Sequence, residues 1–215
     1  MTKIFNDLPK SYSVTSQFNT TSIYQALDQK RTHNLNNLKD GKTLNDIKEV
    51  KYYRTKNKTY ELNLVPMNAT TDELLLFCLL SINDYSFNEV TSSVTISLRD
   101  LAEKMGVAAK YQNDKKTKER IFNSLDKHVE CNIRILDNNS NERLGNFNIL
   151  ASWKQEKQGK ETLITVNFVN DFLNFFTSTN QSFLNIETLL NLKLEYSKIL
   201  LPIINNIDTK NNNIK

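Results

Sequence analysis

The sequence predicts an α+β protein, and three observations support this class. Apolar residues recur at helical spacing in three segments that begin near residues 70, 97 and 117. A short strand candidate, Val94–Ile96, lies between the first two, and three strand candidates, Cys131–Leu136, Leu144–Gln155 and Thr162–Phe168, follow the third. Helix, strand, helix, turn, helix and hairpin is the order of a winged helix, a helix-turn-helix followed by a β-hairpin wing.

The composition is typical of a folded protein of the cytoplasm. Hydrophobic residues make up 39% of the 215 residues and charged residues 24%, which argues against intrinsic disorder. The chain has no run of about 18 apolar residues and its N-terminus lacks the apolar stretch of a signal peptide. Cys78 and Cys131 lie in separate apolar segments, which predicts two buried thiols and no disulfide.

Composition also divides the chain into three parts. Residues 1–60 are polar and hold 11 Lys and Arg against 5 Asp and Glu, so we expect a basic N-terminal arm that extends the winged helix. Strand-forming residues at 50–65 predict a hairpin at its end, with Lys56–Lys58 as the turn. Within the arm, Thr21–Lys30 predicts a short helix. Residues 61–207 form the predicted winged-helix domain, and 208–215 are a polar tail.

The first two helices of the domain carry clear local signals. Leu74–Ile82 is apolar on nearly all sides, which places this helix at the centre of the core. Asp72 and Glu73 are placed in the first turn of this helix, where the helix dipole favours negative charge, and are interpreted as caps and surface charges. Ser97 is the predicted N-cap of the second helix, and Gly106 the residue that ends it.

The third helix, predicted over Thr117–Glu130, is the one that would enter a DNA groove. Basic residues crowd its start and the turn of the wing, with one Tyr in the preceding loop. The candidate DNA contacts at these two tips are Lys110, Tyr111, Lys115, Lys116, Lys118, Arg120, Lys154, Lys157 and Lys160. The basic and aromatic hairpin adds four further candidates, Lys51, Arg54, Lys56 and Lys58. A solvated helix end and a solvated strand face are the alternative interpretations.

The residues that catalysis or cofactor binding would need are missing from the pattern. Cys78 and Cys131 lie 53 positions apart, and the histidines are interpreted as an arm residue, His33, and a packed or surface residue, His128, so we expect no metal site. Four scattered glycines cannot build a phosphate-binding loop, and the acidic residues are interpreted as caps and surface charges. We therefore expect a protein that is not an enzyme and that uses no cofactor.

Four stretches of the sequence resemble the first winged-helix domain of the initiator Rep proteins, which start replication of iteron-containing plasmids. They are the leucine-rich helix at 74–82, TISLRDLAEKMGV at 95–107, ASWKQEKQGKETLITVNFVNDFLNFF at 151–176, and LNLKLEYSKILLPII at 190–204. The third is the most specific, because the family has a Trp, a turn, an alternating strand ending in Phe, and a short apolar helix there. In the fourth, Ile199 and Leu201 replace the Arg and Tyr that are usual in the family.

The resemblance implies a DNA-binding plasmid replication initiator. Such a protein recognises origin repeats in double-stranded DNA and recruits host replication proteins. Family members usually continue into a second winged helix, whereas this sequence ends near the end of the first, and the basic arm is expected to substitute in part as a phosphate-binding element. Two alternatives stay open: a homodimerisation or protein-interaction module without specific DNA binding, and a transcription regulator.

Overall fold

A computed structural model describes residues 11–15, 24–25, 48–54, 56–82, 87–88, 91–178, 181–192 and 197. The strands are β1 (Ser11–Thr15), β2 (Tyr24–Gln25), β3 (Glu49–Arg54), β4 (Lys58–Leu64), β5 (Met67–Asn68), β6 (Phe87–Asn88), β7 (Ser93–Ser97), β8 (Asn132–Asp137), β9 (Arg143–Asn148), β10 (Leu150–Gln158), β11 (Glu161–Phe168) and β12 (Gln181–Asn185). The helices are α1 (Leu74–Leu80), α2 (Leu98–Lys104), α3 (Lys115–Glu130), α4 (Asn170–Ser178) and α5 (Ile186–Asn191). A π-helical turn, Ala69–Glu73, leads into α1, and a 3-10 turn, Ala109–Tyr111, lies between α2 and α3.

The predicted α+β winged helix is confirmed. Strand β7, between α1 and α2, pairs antiparallel with β11, which forms a hairpin with β10. This β10–β11 hairpin is the wing. Ser97 caps α2, since its Oγ accepts a hydrogen bond from the Asp100 amide at 3.1 Å. Gly106 ends the helix with a φ of 74°, and a Cβ there would lie 2.9 Å from Leu190 in α5.

A second four-stranded sheet, in the order β3-β4-β8-β9, contains the predicted hairpin. Tyr53 lies opposite Tyr60 in β3 and β4, so the prediction of a hairpin at 50–65 is confirmed. In β4 the side chains of Tyr60, Leu62 and Leu64 are buried in the core because alternate residues of a strand share a face. The predicted boundary at residue 60 thus falls inside a core strand, and the division into arm and domain stays a prediction.

Two predicted elements differ from those in the structure. The strand expected over Leu144–Gln155 is two strands in different sheets, because β9 pairs with β8 and β10 with β11. The buried Ile149 separates them, and apolar–polar alternation does not record such a change of partner. The short helix expected in the arm is wrong at Tyr24 and Gln25, which form β2 beside β5; its other residues lie outside the described part.

One hydrophobic core joins both sheets to the helices. All residues of α1 are buried, as the apolar pattern predicted, and Leu101 of α2 and Ile121 and Leu125 of α3 pack in the same cluster. Cys78 and Cys131 are buried free thiols. Within the described ranges, none of the helices has the length and apolar character needed to cross a membrane.

The acids before α1 are not the surface charges expected from the sequence. Asp72 is buried, and its Oδ2 accepts a hydrogen bond from the buried Lys127 Nζ at 2.9 Å. Glu73 is also buried, its Oε2 has no hydrogen-bond partner, and burial raises its pKa to about 8. His128 Nδ1 donates to the Ser124 carbonyl at 2.7 Å, and burial lowers the His128 pKa. The π-helical turn packs against the C-terminal half of α3, which explains this burial.

Candidate nucleic-acid interface

The start of α3 combines a helix N-terminus with exposed lysines. The helix follows Asp114 and begins at Lys115, two residues earlier than predicted, so Lys115 and Lys116 lie in its first turn. Both are exposed, Lys118 is half-buried, and the first turn has no acidic residue. Lys115 contacts Glu119 at 3.7 Å, but this pair is largely solvated and therefore weak. Free backbone amides and ammonium groups together attract an anion.

The two halves of α3 differ in exposure. Lys116, Glu119 and Arg120 of the first half are exposed, whereas Leu125, Lys127 and His128 of the second half are buried. The N-terminal half is therefore the part of this helix that can enter a groove, as docking of a recognition helix requires.

Two residues of α3 were missed by the sequence reasoning. Glu119 and Asn123 follow Lys116 by three and seven positions, which puts them on the same side of the helix. Glu119 is exposed and Asn123 half-buried. Carboxylate and carboxamide groups read cytosine and adenine edges in the major groove. The sequence signal for both residues is their helical spacing from Lys116, which a pattern of basic and aromatic residues alone does not contain.

The loop before α3 presents an aromatic and a basic side chain together. Tyr111 is 48% exposed, and the Lys110 Nζ lies 4.7 Å from the centre of its ring, a cation–π contact. The buried Gln112 holds this turn, because its Nε2 donates to the Val107 carbonyl at 3.1 Å. The predicted pair Lys110 and Tyr111 thus lies on a supported surface directly before α3.

The wing extends into solvent beyond Trp153. All residues from 154 to 160 are exposed, and the turn contains Gly159, whose φ is 63°. Lys154 Nζ lies 2.7 Å from Glu156 Oε1, so the charge of this lysine is partly compensated on the wing itself. Lys157 and Lys160 lie nearer the tip, and among the described residues neither has an ion-pair partner. These two lysines are the stronger phosphate candidates of the wing.

Trp153 connects the wing to α3. Its Nε1 donates to Asp126 Oδ1 at 2.8 Å, and its ring stacks on Phe122 with 4.9 Å between ring centres. Both partners belong to α3. The Trp153 side chain is half-buried at the edge of the core, where α3 meets β10.

The four hairpin candidates lie in the other sheet. Lys56 and Lys58 are exposed at the β3–β4 tip, while Lys51 and Arg54 belong to β3, an edge strand. Asn138 holds the tip: its amide donates to the Asn57 carbonyl at 2.9 Å, and its Nδ2 to the Lys56 carbonyl at 3.2 Å. The candidates at α3 and the wing are thus joined through Trp153, whereas the hairpin candidates are carried by a separate sheet.

The chain matches a protein-family model described as initiator replication protein, WH1, over residues 53–205. The chain belongs to this family. The match begins in β3 and includes α1 to α5 and the wing, so the first winged-helix domain of a replication initiator is the part described here. The resemblance read from the four sequence stretches is confirmed.

Other comparisons add less. No curated protein matches the chain. A crystal structure of domains 2 and 3 of RctB is similar over 74% of this chain and 63% of its own, with 12% sequence identity and a TM-score of 0.49. This chain therefore spans less than two thirds of that structure.

In the described ranges, His, Cys, Asp and Glu side chains form no group of three or more that could hold a metal ion.

Proposed function

We propose that this replication initiator family member binds double-stranded DNA through the N-terminal half of α3 and the wing. It recognises repeats at a plasmid origin and recruits host replication proteins without catalysing a reaction itself. Family membership supports the proposed partners and the proposed absence of catalysis. The DNA-binding surface rests on the described residues.

The observation that carries the proposal is the placement of Lys115, Lys116 and Lys118 at the start of α3. A cation in the first turn opposes the helix dipole and costs about 0.3–1 kcal/mol. The first turn of α2 instead contains Asp100, the stabilising choice. Two exposed cations in the first turn of one helix break this rule, which is typical of a binding site, because a bound phosphate would make both cations favourable there.

The surface divides into phosphate-binding and base-reading parts. Lys115, Lys157 and Lys160 are exposed at the two tips, as phosphate contacts require. Lys116 and Arg120, with Glu119 between them, lie on the exposed side of α3 and are placed to read base edges. Each phosphate that is neutralised should add about 0.9 to the slope of log affinity against log salt.

Fluorescence anisotropy tests the proposal. The probes are a labelled duplex that contains direct repeats from DNA beside the gene, and a duplex of the same composition in scrambled order, each at two salt concentrations. We expect tighter binding to the repeats at both concentrations and weaker binding to both duplexes at higher salt. Absence of binding at low salt would reject DNA binding, and equal affinities would reject repeat recognition.

A pair of charge-matched variants locates the surface. The first carries Lys115→Glu, Lys116→Glu and Lys118→Glu, and the second carries Lys56→Glu, Lys58→Glu and Arg143→Glu on exposed positions of the other sheet. Both lower the net charge by the same amount. We expect the first to lose binding to every duplex and the second to lose only the weaker long-range attraction. A larger loss from the second would move the interface to the β3–β4 hairpin.

A second candidate function, homodimerisation or docking of another protein, is favoured by apolar residues on the β3-β4-β8-β9 sheet. Val50 and Tyr52 of β3 are 51% and 62% exposed, and Leu144 of β9 is 51% exposed. The strand register places Val50 and Tyr52 on the face opposite the core, and Leu144 lies at the register shift between β8 and β9. Exposed apolar side chains grouped on one face are typical of interaction sites.

Sedimentation velocity separates this candidate from DNA binding. Tyr52→Ser should shift the protein toward monomer, while Tyr111→Ser, which removes an exposed aromatic ring beside α3, should not. Loss of self-association in the first variant, together with an absence of DNA binding in the wild type, would make the interaction module the better description. A wild type that is monomeric at all concentrations would reject homodimerisation.

A further inference from the structure

We infer that Trp153 is a positioning residue that fastens the wing to α3, so that the two basic tips meet DNA as one preassembled unit. This inference rests on the proposed DNA binding. It assigns a role to a residue that need not touch DNA at all.

The geometry of Trp153 supports this role in two ways. Its indole N–H donates to Asp126 Oδ1 at 2.8 Å, and its ring stacks on Phe122 with planes 21° apart and centres 4.9 Å apart. Phe122 and Asp126 are four positions apart, hence neighbours on one side of α3. A single residue of the wing therefore contacts α3 through both a hydrogen bond and ring stacking.

Two attachments hold the wing on the domain: β11 pairs with β7 as far as Leu163, which lies opposite Glu156 of β10, and Trp153 contacts α3. Strand β10 is an edge strand, with β11 on one side and no strand pairing on the other among the described residues. Strand β11 pairs with β7 from Leu163 to Asn167, and the hairpin continues past that pairing toward Gly159. Trp153 is the last residue of β10 before the exposed stretch 154–160. The contacts of Trp153 with α3 thus add to the strand pairing and hold the open edge of the wing against α3.

The consequence for DNA binding is a matter of effective concentration. Once α3 is bound, a wing held in place by Trp153 contacts the neighbouring phosphates without first being ordered. A loosened wing must be ordered at that moment, and its lysines then contribute less. Hydrogen bonds to charged acceptors are strong enough that losing this one should reduce the contribution of the wing about tenfold.

Distances between spin labels test the fastening without DNA. Labels on Lys116→Cys and Lys157→Cys report the separation of α3 and wing, and both native cysteines are buried away from the reagent. We expect a narrow distance distribution for the parent protein and for Asp126→Asn, which keeps an oxygen acceptor. Trp153→Phe keeps a ring for stacking, and Asp126→Leu keeps the side-chain volume, but each lacks the hydrogen bond and should broaden the distribution. Unchanged widths in both variants would overturn the inference.

A DNA-binding measurement then shows what the fastening does. Replacing both Lys157 and Lys160 by Ala should weaken binding strongly in the wild type and in Asp126→Asn, but about tenfold less in Trp153→Phe and Asp126→Leu. An equal loss in all four proteins would contradict the inference, even if the domain remains folded by circular dichroism. A wild type that fails to bind any duplex would instead reject the proposed function, and the spin-label distances would still decide whether Trp153 fastens the wing.

Discussion

The lysines in the two halves of α3 differ in solvent exposure and in ion pairing. Lys115 and Lys116 at the N-terminal end are exposed and lack a strong ion pair. Lys127, three turns later, is buried and lies 2.9 Å from the buried Asp72. The lysines of the first half face solvent and destabilise the helix through its dipole. Lys127 of the second half instead forms an ion pair that joins the helix to the turn before α1.

The difference shows that position decides what a basic residue does. Each lysine of α3 adds one positive charge to the net charge of +4 wherever it lies, yet only the lysines at the N-terminal end are available to a polyanion. The core neighbours of the second half, including His128 and Ser124, take Lys127 away from solvent. Four substitutions test this contrast, and their expected effects on stability decrease from Lys127→Met to Lys115→Met.

The largest effect is expected from Lys127→Met. This variant leaves the Asp72 carboxylate buried without its ammonium partner, which should lower the free energy of unfolding by about 3–5 kcal/mol. Urea denaturation measures the loss. The double variant with Asp72→Leu should recover much of it, because a buried pair replaced by apolar residues is often tolerated. A loss below about 1 kcal/mol in the single variant would show that this pair does not anchor α3.

Glu73→Gln should change how stability depends on pH. Because burial raises the Glu73 pKa to about 8, the folded protein retains a proton that the unfolded chain releases above the ordinary value of 4.5. The stability contributed by the protonated group is complete below pH 4.5 and is lost as the pH rises through about 8. The variant should therefore match the wild type near pH 4.5 and exceed it by about 3 kcal/mol at pH 7.

The control for this pH effect is Glu119→Gln, which changes an exposed glutamate. Its stability should follow the wild type at every pH. Burial lowers the His128 pKa, so this residue destabilises the fold at acidic pH, but it does so in all three proteins and cancels from the comparison. Parallel profiles for Glu73→Gln and the wild type would contradict the assigned burial of Glu73.

Lys116→Glu should act in opposite directions on stability and on binding. An acid in the first turn of α3 favours the helix dipole, so the free energy of unfolding should rise by about 0.3–1 kcal/mol. DNA affinity should fall at the same time, and the preference for the repeat duplex over the scrambled duplex should fall with it, because Lys116 is assigned to base reading. Thermal unfolding and anisotropy on one preparation measure both. A variant that loses stability would show that Lys116 supports the fold.

The smallest effect is expected from Lys115→Met, the exposed counterpart of Lys127→Met. The ion pair of Lys115 with Glu119 is long and solvated, so the change in stability should stay within about 0.5 kcal/mol. The same substitution at two lysines of one helix would thus differ by several kcal/mol in urea denaturation. Similar losses at both positions would remove the contrast between the two halves.

Much of the fold was readable from local patterns. Ser97 and Gly106 marked the ends of α2, since capping and left-handed geometry depend on residues close in sequence. The break between β9 and β10 was not readable, because both strands alternate in the same way and only their partners differ. For the site, the candidates named at the two basic tips are exposed except for the half-buried Lys118, and their contact with DNA stays a prediction.

Helix periodicity, strand alternation and caps are encoded in neighbouring residues, so the α+β class, the order of elements and the family were readable from the sequence. Only the tertiary structure decided which charges are buried and what joins the wing to α3. Asp72 with Lys127, and Trp153 with Asp126, are separated by 55 and 27 positions. Such pairs meet only after the chain has folded, so local pattern cannot distinguish them from solvated surface residues.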